Sequence, residues 1–329
     1  YTMSTPPRTL LVALGLLLLG GCATFSRDGG FDAVGTVARD RIDKDLTWVR
    51  SDGDTGTVQA SVKKLLASPL PVDDAVQVAL LNNPGLQATY AELGIAEANL
   101  VQAGRLRNPG FTFLRARADG DLRVERTYTF DFASLIVAPL ATRIEGRRLE
   151  QTQLLVTNEV LRVAAETRKA YFGAVAAQES LRYFEQVKTA AEAGADLARR
   201  MARAGNWSKL DQAREQVFYA EAVAQLARAQ QSGVVERERL TRLMGLWGED
   251  LQFKLPERLP ALPNEKPELK DLEPYAVRER LDIRAAQRET AALAASLGLP
   301  KTTRFLNVLD VSYLRNNEPR GVREAGYEI

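Results

Sequence analysis

LATRIEGRRLEQTQLLVTNEVLRVAAETRKAYFGAVAAQESLRYFEQVKTAAEAGADLARRMARAGNWSKLDQAREQVFYAEAVAQLARAQQSGVVERERLTRLM, residues Leu140–Met244, decides the fold. The stretch has no proline, is rich in alanine, and is interrupted once, at Ala204-Gly205-Asn206-Trp207-Ser208. It reads as two very long helices joined by a tight turn. At ~1.5 Å per residue, a first helix from Leu140 to about Met201 is ~90 Å long. Helices of ordinary globular domains run about 8–20 residues, so a hairpin of this length is a device for spanning distance. Its apolar positions alternate three- and four-residue steps, the heptad spacing that packs helices side by side. On the outgoing helix they are Val160, Val163, Thr167, Ala170, Ala174, Ala177, Leu181 and Phe184, resuming after a slip at Val187, Ala191, Gly194, Ala198 and Met201. The expected seam of the return helix is Leu210, Ala213, Val217, Ala220, Ala224 and Ala227. Ser208 and Asp211 have the spacing of a helix-start box.

The N-terminus bears on the compartment. Arg8 is followed by an apolar run, Leu10–Leu19, too short to span a bilayer as a helix, and then by Gly20-Gly21-Cys22. This is the order of a secretion signal, residues 1–22. The small residues before the only cysteine resemble the lipobox of bacterial lipoproteins, in which that cysteine is cleaved free and acylated; an ordinary signal with a chance cysteine is the other reading. Acyl chains on Cys22 would anchor the protein, each buried CH₂ adding ~0.8 kcal/mol. In the lipoproteins it resembles, the lack of an aspartate after the cysteine favours the outer membrane.

Composition excludes several functions. Lys+Arg number 44 against Asp+Glu 42, and the basic residues do not interleave with aromatics, so nothing suggests a nucleic-acid partner. There is no histidine, which rules out a Ser-His-Asp triad and a His-ligated zinc site. Paired carboxylates are the remaining catalytic option, but Asp73-Asp74 and Glu249-Asp250 sit where a helix starts and where one has ended, positions that favour capping or solvated charge. No catalytic, metal or cofactor residues are assigned.

Working outward from the hairpin, residues 23–71 read as a flexible polar leader with one short helix over Val62–Ala67. Asp73–Gly104 is helical, broken at Asn82-Asn83-Pro84, with Leu86, Leu93, Ala96, Leu100 and Ala103 at helical spacing. Phe111–Arg117 and Leu122–Phe132 read as two strands (a hairpin over 111–132) around Ala118-Asp119-Gly120-Asp121. Tyr128, Phe130 and Phe132 fall on one face, and Thr127, Thr129 and Asp131 on the other. That alternation suits a membrane strand with aromatics at the interface, and equally a soluble hairpin that packs its aromatics on helices. Residues 251–274 form a proline-rich linker, expected to be extended and non-helical. The last section, 275–329, repeats the first in outline. Ala79, Ala88, Glu92, Ala98 and Leu100 match Ala276, Ala285, Glu289, Ala295 and Leu297 at one constant offset. A strand over Phe305–Leu314, a turn over Asn316–Gly321 and a returning segment from Val322 follow.

Together these pieces resemble the outer-membrane efflux protein family, the TolC-like channels, of lipoprotein type and C-terminally truncated. The resemblance rests on Leu80-Leu81-Asn82-Asn83-Pro84-Gly85-Leu86, Ala103-Gly104-Arg105-Leu106-Arg107-Asn108-Pro109, Ala138-Pro139-Leu140 and Gly205-Asn206-Trp207-Ser208-Lys209-Leu210-Asp211. It implies a mainly α chain with a small membrane β part: a long antiparallel coiled-coil hairpin, plus β-hairpins contributing to a barrel shared by a homotrimer. Residues 72–250 would be the first repeat and 275–329 an incomplete second. The implied function is the outer-membrane channel of a tripartite efflux system, a passive conduit without cofactor or enzymatic activity. The implied setting is the outer membrane of a Gram-negative bacterium, with a lipid anchor at Cys22. The implied partners are outer-membrane lipid, a periplasmic adaptor and an inner-membrane pump. Adaptor docking would fall at the periplasmic tip, on Arg203, Gly205, Ser208, Leu210 and Asp211, although local turn and cap chemistry alone also explains Gly205, Ser208 and Asp211. Family members carry a further strand and a second long hairpin with an acidic constriction, so this chain by itself is not expected to close a barrel. A pore-less periplasmic coiled-coil adaptor or scaffold is the alternative, and a carboxylate-based cell-wall enzyme a more remote one.

Overall fold

The outgoing arm of the hairpin is longer than its proline-free stretch. In the computed structural model, which describes residues 24–105, 107–118, 121–262, 271–298, 310–317 and 323–328, one helix runs from Ala133 to Arg203 over 71 residues. It begins seven residues before Leu140 and carries Pro139 inside. Pro139 lies in the second turn, where it removes one backbone bond and crowds the carbonyl four residues back. The start itself is set by Asp131, whose carboxylate accepts from the Ser134 N–H at 3.0 Å and the Ser134 hydroxyl at 2.5 Å.

In chain order the elements are α1 (Phe31–Ile42), α2 (Asp52–Leu66), α3 (Val72–Asn82), α4 (Pro84–Ala103), β1 (Gly110–Ala118), β2 (Asp121–Asp131), α5 (Ala133–Arg203) and α6 (Lys209–Met244). A short 3₁₀ turn (Gly248–Gln252), α7 (Leu272–Glu279), α8 (Leu281–Ser296), β3 (Asp310–Asn317) and β4 (Arg323–Glu328) follow. The signal segment with Cys22, the Asp119-Gly120 turn, residues 263–270, the first part of the expected strand at 305–309, and the turn residues 318–322 lie outside the described residues. No described helix is long and apolar enough to cross a membrane.

The chain divides into two compact units. One gathers Ala91–Leu155 and Glu273–Ile329 with the residues before Val34. It contains a four-stranded antiparallel sheet in the order β1-β2-β3-β4, with Phe111 opposite Tyr128, Tyr128 opposite Tyr313, and Tyr313 opposite Tyr327. Below the sheet, Leu93, Val101, Ile144, Leu281, Ala285 and Ala292 are buried. Arg147 donates to the Ala291 carbonyl at 2.6 Å, and Arg288 pairs with Glu150 at 3.2 Å, fixing α8 beside α5. Glu97 is buried but satisfied, accepting from the Ser26 N–H at 2.7 Å.

The other unit, Val34–Tyr90 with Val156–Leu272, is helical. Val76, Leu80, Leu86, Val156, Val160, Leu240 and Met244 are almost wholly shielded from water. The break at Asn82-Asn83-Pro84 also joins elements. Asn83 caps α4 by accepting from the Leu86 N–H at 3.0 Å, and Pro84 takes the first helical position, where no N–H is required. The Asn82 and Asn83 amides then donate to the Met244, Gly245 and Leu243 carbonyls at 3.0, 2.8 and 2.9 Å, satisfying the orphan end of α6. Gly245 closes that helix at φ 65°. Downstream, Arg237 donates to the Leu251 and Phe253 carbonyls and lies over the Phe253 ring at 4.0 Å; desolvation pushes its guanidinium pKa down.

Three readings need correction. The leader contains two helices where one short one was expected. α2 starts on a full capping box at Ser51 and Asp54, and buries Val58 and Val62. α1 buries Val34 and Ala38, and beyond it Asp45 exchanges backbone bonds with the Gln77 side chain. Sparse apolar residues between polar ones hid both helices. The linker also ends early, because α7 begins at Leu272 with Pro274 in its first turn. Before that, Phe253 is buried and the Lys254 carbonyl accepts from Leu70 at 2.8 Å. The third concerns α6. The outgoing seam is largely correct, since Val160, Val163, Thr167, Ala170, Ala174, Ala177, Ala191 and Ala198 are buried. On the return helix Ala222 and Ala229 are buried instead, while Leu210, Ala213, Val217, Ala220, Ala224 and Ala227 are exposed. A shift of two residues turns a helix by about 200°, so the expected stripe lies on the outer face.

Candidate functional site

The expected functional residues fall in two places: the turn between α5 and α6, and the faces of the sheet. At the turn α5 ends in a Schellman motif. The Asn206 N–H donates to the Met201 carbonyl at 3.0 Å and the Gly205 N–H to Ala202 at 3.2 Å, with Gly205 at φ 77°. Ser208 caps α6 by accepting from the Asp211 N–H at 3.1 Å, and its hydroxyl donates to the Asp211 carboxylate at 2.7 Å. Asp211 also pairs with Arg214 at 3.4 Å. The five residues expected at the tip therefore share one turn: Arg203, Gly205, Ser208 and Leu210 are exposed and Asp211 is half-buried. Leu210 is 61% exposed, an apolar side chain with no local reason to face water. No Cβ at Gly205 would meet another atom within 4 Å, so its glycine is required by φ alone.

On the sheet, Tyr128, Phe130 and Phe132 are 41%, 47% and 41% exposed, and none is buried against a helix. Phe132 lies one residue past β2, which ends at Asp131. The register adds residues that the single-strand reading did not name. Phe111, Tyr128, Tyr313 and Tyr327 form one row across all four strands, with ring centroids 4.9 Å apart for Phe111–Tyr128 and 5.4 Å for Tyr313–Tyr327. Nearer the strand-connecting ends, the same face holds Arg115, Arg117, Arg126, Arg315 and Arg323. The opposite face carries Asp131, Asp310, Glu324 and Glu328 and the ion pair Arg123–Glu125 at 2.6 Å among threonine and serine, with Thr129 and Ser312 in hydroxyl contact at 3.2 Å. Period-two alternation in β3 contained this signal, but placing its residues beside β2 needs a pairing between segments almost two hundred positions apart. Among the described residues no group of three His, Cys, Asp or Glu side chains could hold a metal ion.

The structure has the architecture of solved outer-membrane proteins. CusC superposes with a TM-score of 0.62 at 15% identity, covering 78% of this chain and 65% of that one. The outer-membrane channel OprN gives 0.62 at 17% identity over 86% and 67%, and VceC of Vibrio cholerae 0.60 at 14% over 78% and 66%. In sequence, the chain is 30% identical over 275 residues to the cobalt-zinc-cadmium resistance protein CzcC of Cupriavidus metallidurans, covering 77% of this chain. The chain shares the fold of these outer-membrane channels. It spans 64% of the length of CzcC. No family model matches it.

The offset that relates Ala79 to Ala276 also relates the end of α3 at Asn82 to the end of α7 at Glu279, and the start of α4 at Pro84 to the start of α8 at Leu281. The second break needs no proline. Arg280 takes an extended ψ of 121° and holds the Asp282 carboxylate at 3.0 and 2.6 Å.

Proposed function

We propose that the chain is the outer-membrane component of a tripartite export system, a passive conduit and not an enzyme, and that it works as a homotrimer. One observation carries the reading: a four-stranded sheet with an exposed aromatic face, an acidic face and two unpaired edge strands, in a chain of outer-membrane channel fold. A soluble protein that left such a face and both edges open would aggregate. Closing β1 of one copy on β4 of the next satisfies the backbone groups of both edges and gives the aromatic row to lipid. The outward stripe of α6, with Val217, Val234 and Val235 exposed, gives neighbouring copies a helical contact as well.

In this reading Cys22 is acylated and anchors the protein in the outer membrane of a Gram-negative cell. Tyr128, Phe130 and Phe132 face lipid. Arg203, Gly205, Ser208, Leu210 and Asp211 dock a periplasmic adaptor that bridges to an inner-membrane pump, with Leu210 as the apolar anchor. The cargo is cationic. CzcC is named for resistance to cobalt, zinc and cadmium, and the inward face here carries Asp131, Asp310, Glu324 and Glu328, with Glu125 paired to Arg123 at 2.6 Å. A lumen lined by carboxylates concentrates cations and repels anions.

Planar-bilayer recording tests this. Conductance with a cation-selective reversal potential, weakened in Glu125→Gln/Glu324→Gln, supports the conduit. Membrane-bound, assembled protein that never conducts would leave the pore-less adaptor or scaffold reading in its place.

A further inference from the structure

Trp247 is 78% exposed, on a loop that is pinned at both ends. Before it, Leu246 is buried and its N–H donates to the Thr241 carbonyl at 3.1 Å, while the Asn82 amide holds the Gly245 carbonyl at 2.8 Å. After it, Phe253 is buried, and Arg237 donates to the Leu251 and Phe253 carbonyls at 3.0 and 2.7 Å. Between these anchors Trp247 is extended, at φ −153° and ψ 165°, and Gly248 turns the chain at φ 62°. The loop thus buries two smaller apolar side chains and holds the largest one out. An indole normally goes inside or finds a partner for its N–H. Among the described residues this one has no ring partner, and its N–H has no acceptor.

Trp247 shares a cavity of about 370 Å³ with Gln59 and Lys63 of α2, Asn82, Glu249 and Asp250. Lys63 and the two carboxylates are of opposite charge, yet none of them forms an ion pair among the described residues, and Gln59 makes no hydrogen bond there. Asn82 uses its amide nitrogen on the Met244 and Gly245 carbonyls, and its Oδ1 accepts from no described residue. One aromatic plate is therefore ringed by unused donors and acceptors. Hydrocarbon would strip water from these groups and return no hydrogen bonds, and the carboxylates oppose an anionic lipid surface. The core of a protein interface is depleted of such charge. A sugar ring fits both parts. Its apolar C–H face lies flat on an indole, and the hydroxyl and amide groups at its rim match the side chains around it.

We propose that Trp247, with Gln59, Lys63, Glu249 and Asp250, is a binding site for a β-1,4-linked amino-sugar glycan, the strand chemistry of the bacterial cell wall. The choice of polymer rests on the function proposed above, since the outer-membrane component of an export system meets this polymer in the periplasm. One ring stacks on the indole. Glu249 and Asp250 accept from its hydroxyls, and Lys63 and the Gln59 amide donate to an acetamido carbonyl. The pinned loop is already ordered, so binding loses little to reorganisation. A single site of this kind is weak, but three copies in a homotrimer on one polymer hold far more firmly and would fasten the channel to the wall.

The full chain carrying Cys22→Ser is sedimented with protein-free peptidoglycan sacculi and titrated with the N-acetylglucosamine tetramer by calorimetry. The tetramer is expected to bind and to displace the protein from sacculi. W247A should weaken tetramer binding by roughly tenfold with an unchanged thermal midpoint, because the indole lies outside the core. W247F should keep most of the affinity, E249Q/D250N should lose severalfold, and the control W207F, at the α5–α6 turn, should bind as the native chain does. Undiminished binding in W247A overturns the site, as does a chain that binds neither sacculi nor tetramer. Sacculus binding that salt abolishes and the tetramer does not compete for also overturns it, and places recognition in the charged peptide stems. Trp247-dependent binding to phosphatidylcholine vesicles without glycan binding overturns it in favour of lipid. None of these readouts needs conductance. A chain that conducts but ignores glycan removes this site alone, and a chain that binds glycan but never conducts removes the channel reading alone.

Discussion

At the residue scale the chain is controlled by caps and by a few backbone positions that admit only glycine. Ser208→Ala removes the acceptor for the Asp211 N–H and should cost about 1 kcal/mol of stability, read as a lowered thermal midpoint. Gly245→Ala should cost more, roughly 1–3 kcal/mol. The position combines φ 65° with a Cβ that would be driven into the Asn82 carbonyl, so the Asn82 clamp on α6 must open. Hydrogen exchange at the α3–α4 break and the last turn of α6 would show the loosening. The tip turn was legible in sequence because Gly205 and Ser208–Asp211 act on neighbours within five residues. The clamp was not: Asn82 and Asn83 were read as helix breakers, and nothing local indicates that their amides end a helix more than 160 residues away.

Acid should loosen the leader at one identifiable place. Asp54 accepts from the Arg50 and Ser51 N–H groups at 3.0 and 2.9 Å and from the Ser51 hydroxyl. The bond from the Arg50 N–H, followed by that from Ser51, holds its carboxyl below the usual carboxylate range. A depressed folded-state pKa gives stability that is complete above the unfolded value of about 3.9 and is lost as pH falls through the folded value. The start of α2 should therefore fray only below about pH 4. Exchange of the Arg50 and Ser51 amides followed against pH should show this transition, and Asp54→Asn should abolish it.

At the element scale α6 shows where periodicity stops being decisive. Its sequence carries an apolar stripe through Leu210, Val217 and Ala224 and a second one through Ala222, Leu226 and Ala229. Alanine dominates both, and a three-four spacing fits either. The structure buries Ala222 and Ala229. It leaves the bulkier Val217 and Phe218 outside. On the outgoing helix Val156, Val160 and Val163 are buried although Leu155 beside them is exposed. The two faces should respond differently to charge. Ala222→Glu places a carboxylate in a closed seam and should cost about 2 kcal/mol or more. Val217→Glu should leave the stability of the isolated chain within about 0.5 kcal/mol and weaken association between copies. Chemical denaturation and sedimentation velocity on both variants would separate the roles, and equal destabilisation by both would contradict the burial pattern.

At the scale of the whole molecule the open question is what covers the sheet edges. β1 and β4 each present one side of unpaired backbone groups, and neither edge has a proline, a bulge or a covering helix among the described residues. β4 does carry charge, in Arg323, Glu324 and Glu328. Edge charge opposes random pairing, whereas closure on a complementary strand in a fixed register tolerates it. In a homotrimer that closes a barrel, β1 of one copy lies beside β4 of the next. Every copy then donates and receives the same contact, and the ring stops at three. Thr112→Cys on β1 and Gly326→Cys on β4, combined with Cys22→Ser, should give disulfide-linked dimers and trimers under mild oxidation in membranes, and no larger species. Moving one cysteine by a single residue, to the position of Phe113, turns its side chain to the other face and should abolish the ladder. A ladder that extends past three would mean open, fibre-like edge pairing. Monomers alone, from membranes in which the protein is intact, would mean that the edges are closed by something other than a second copy.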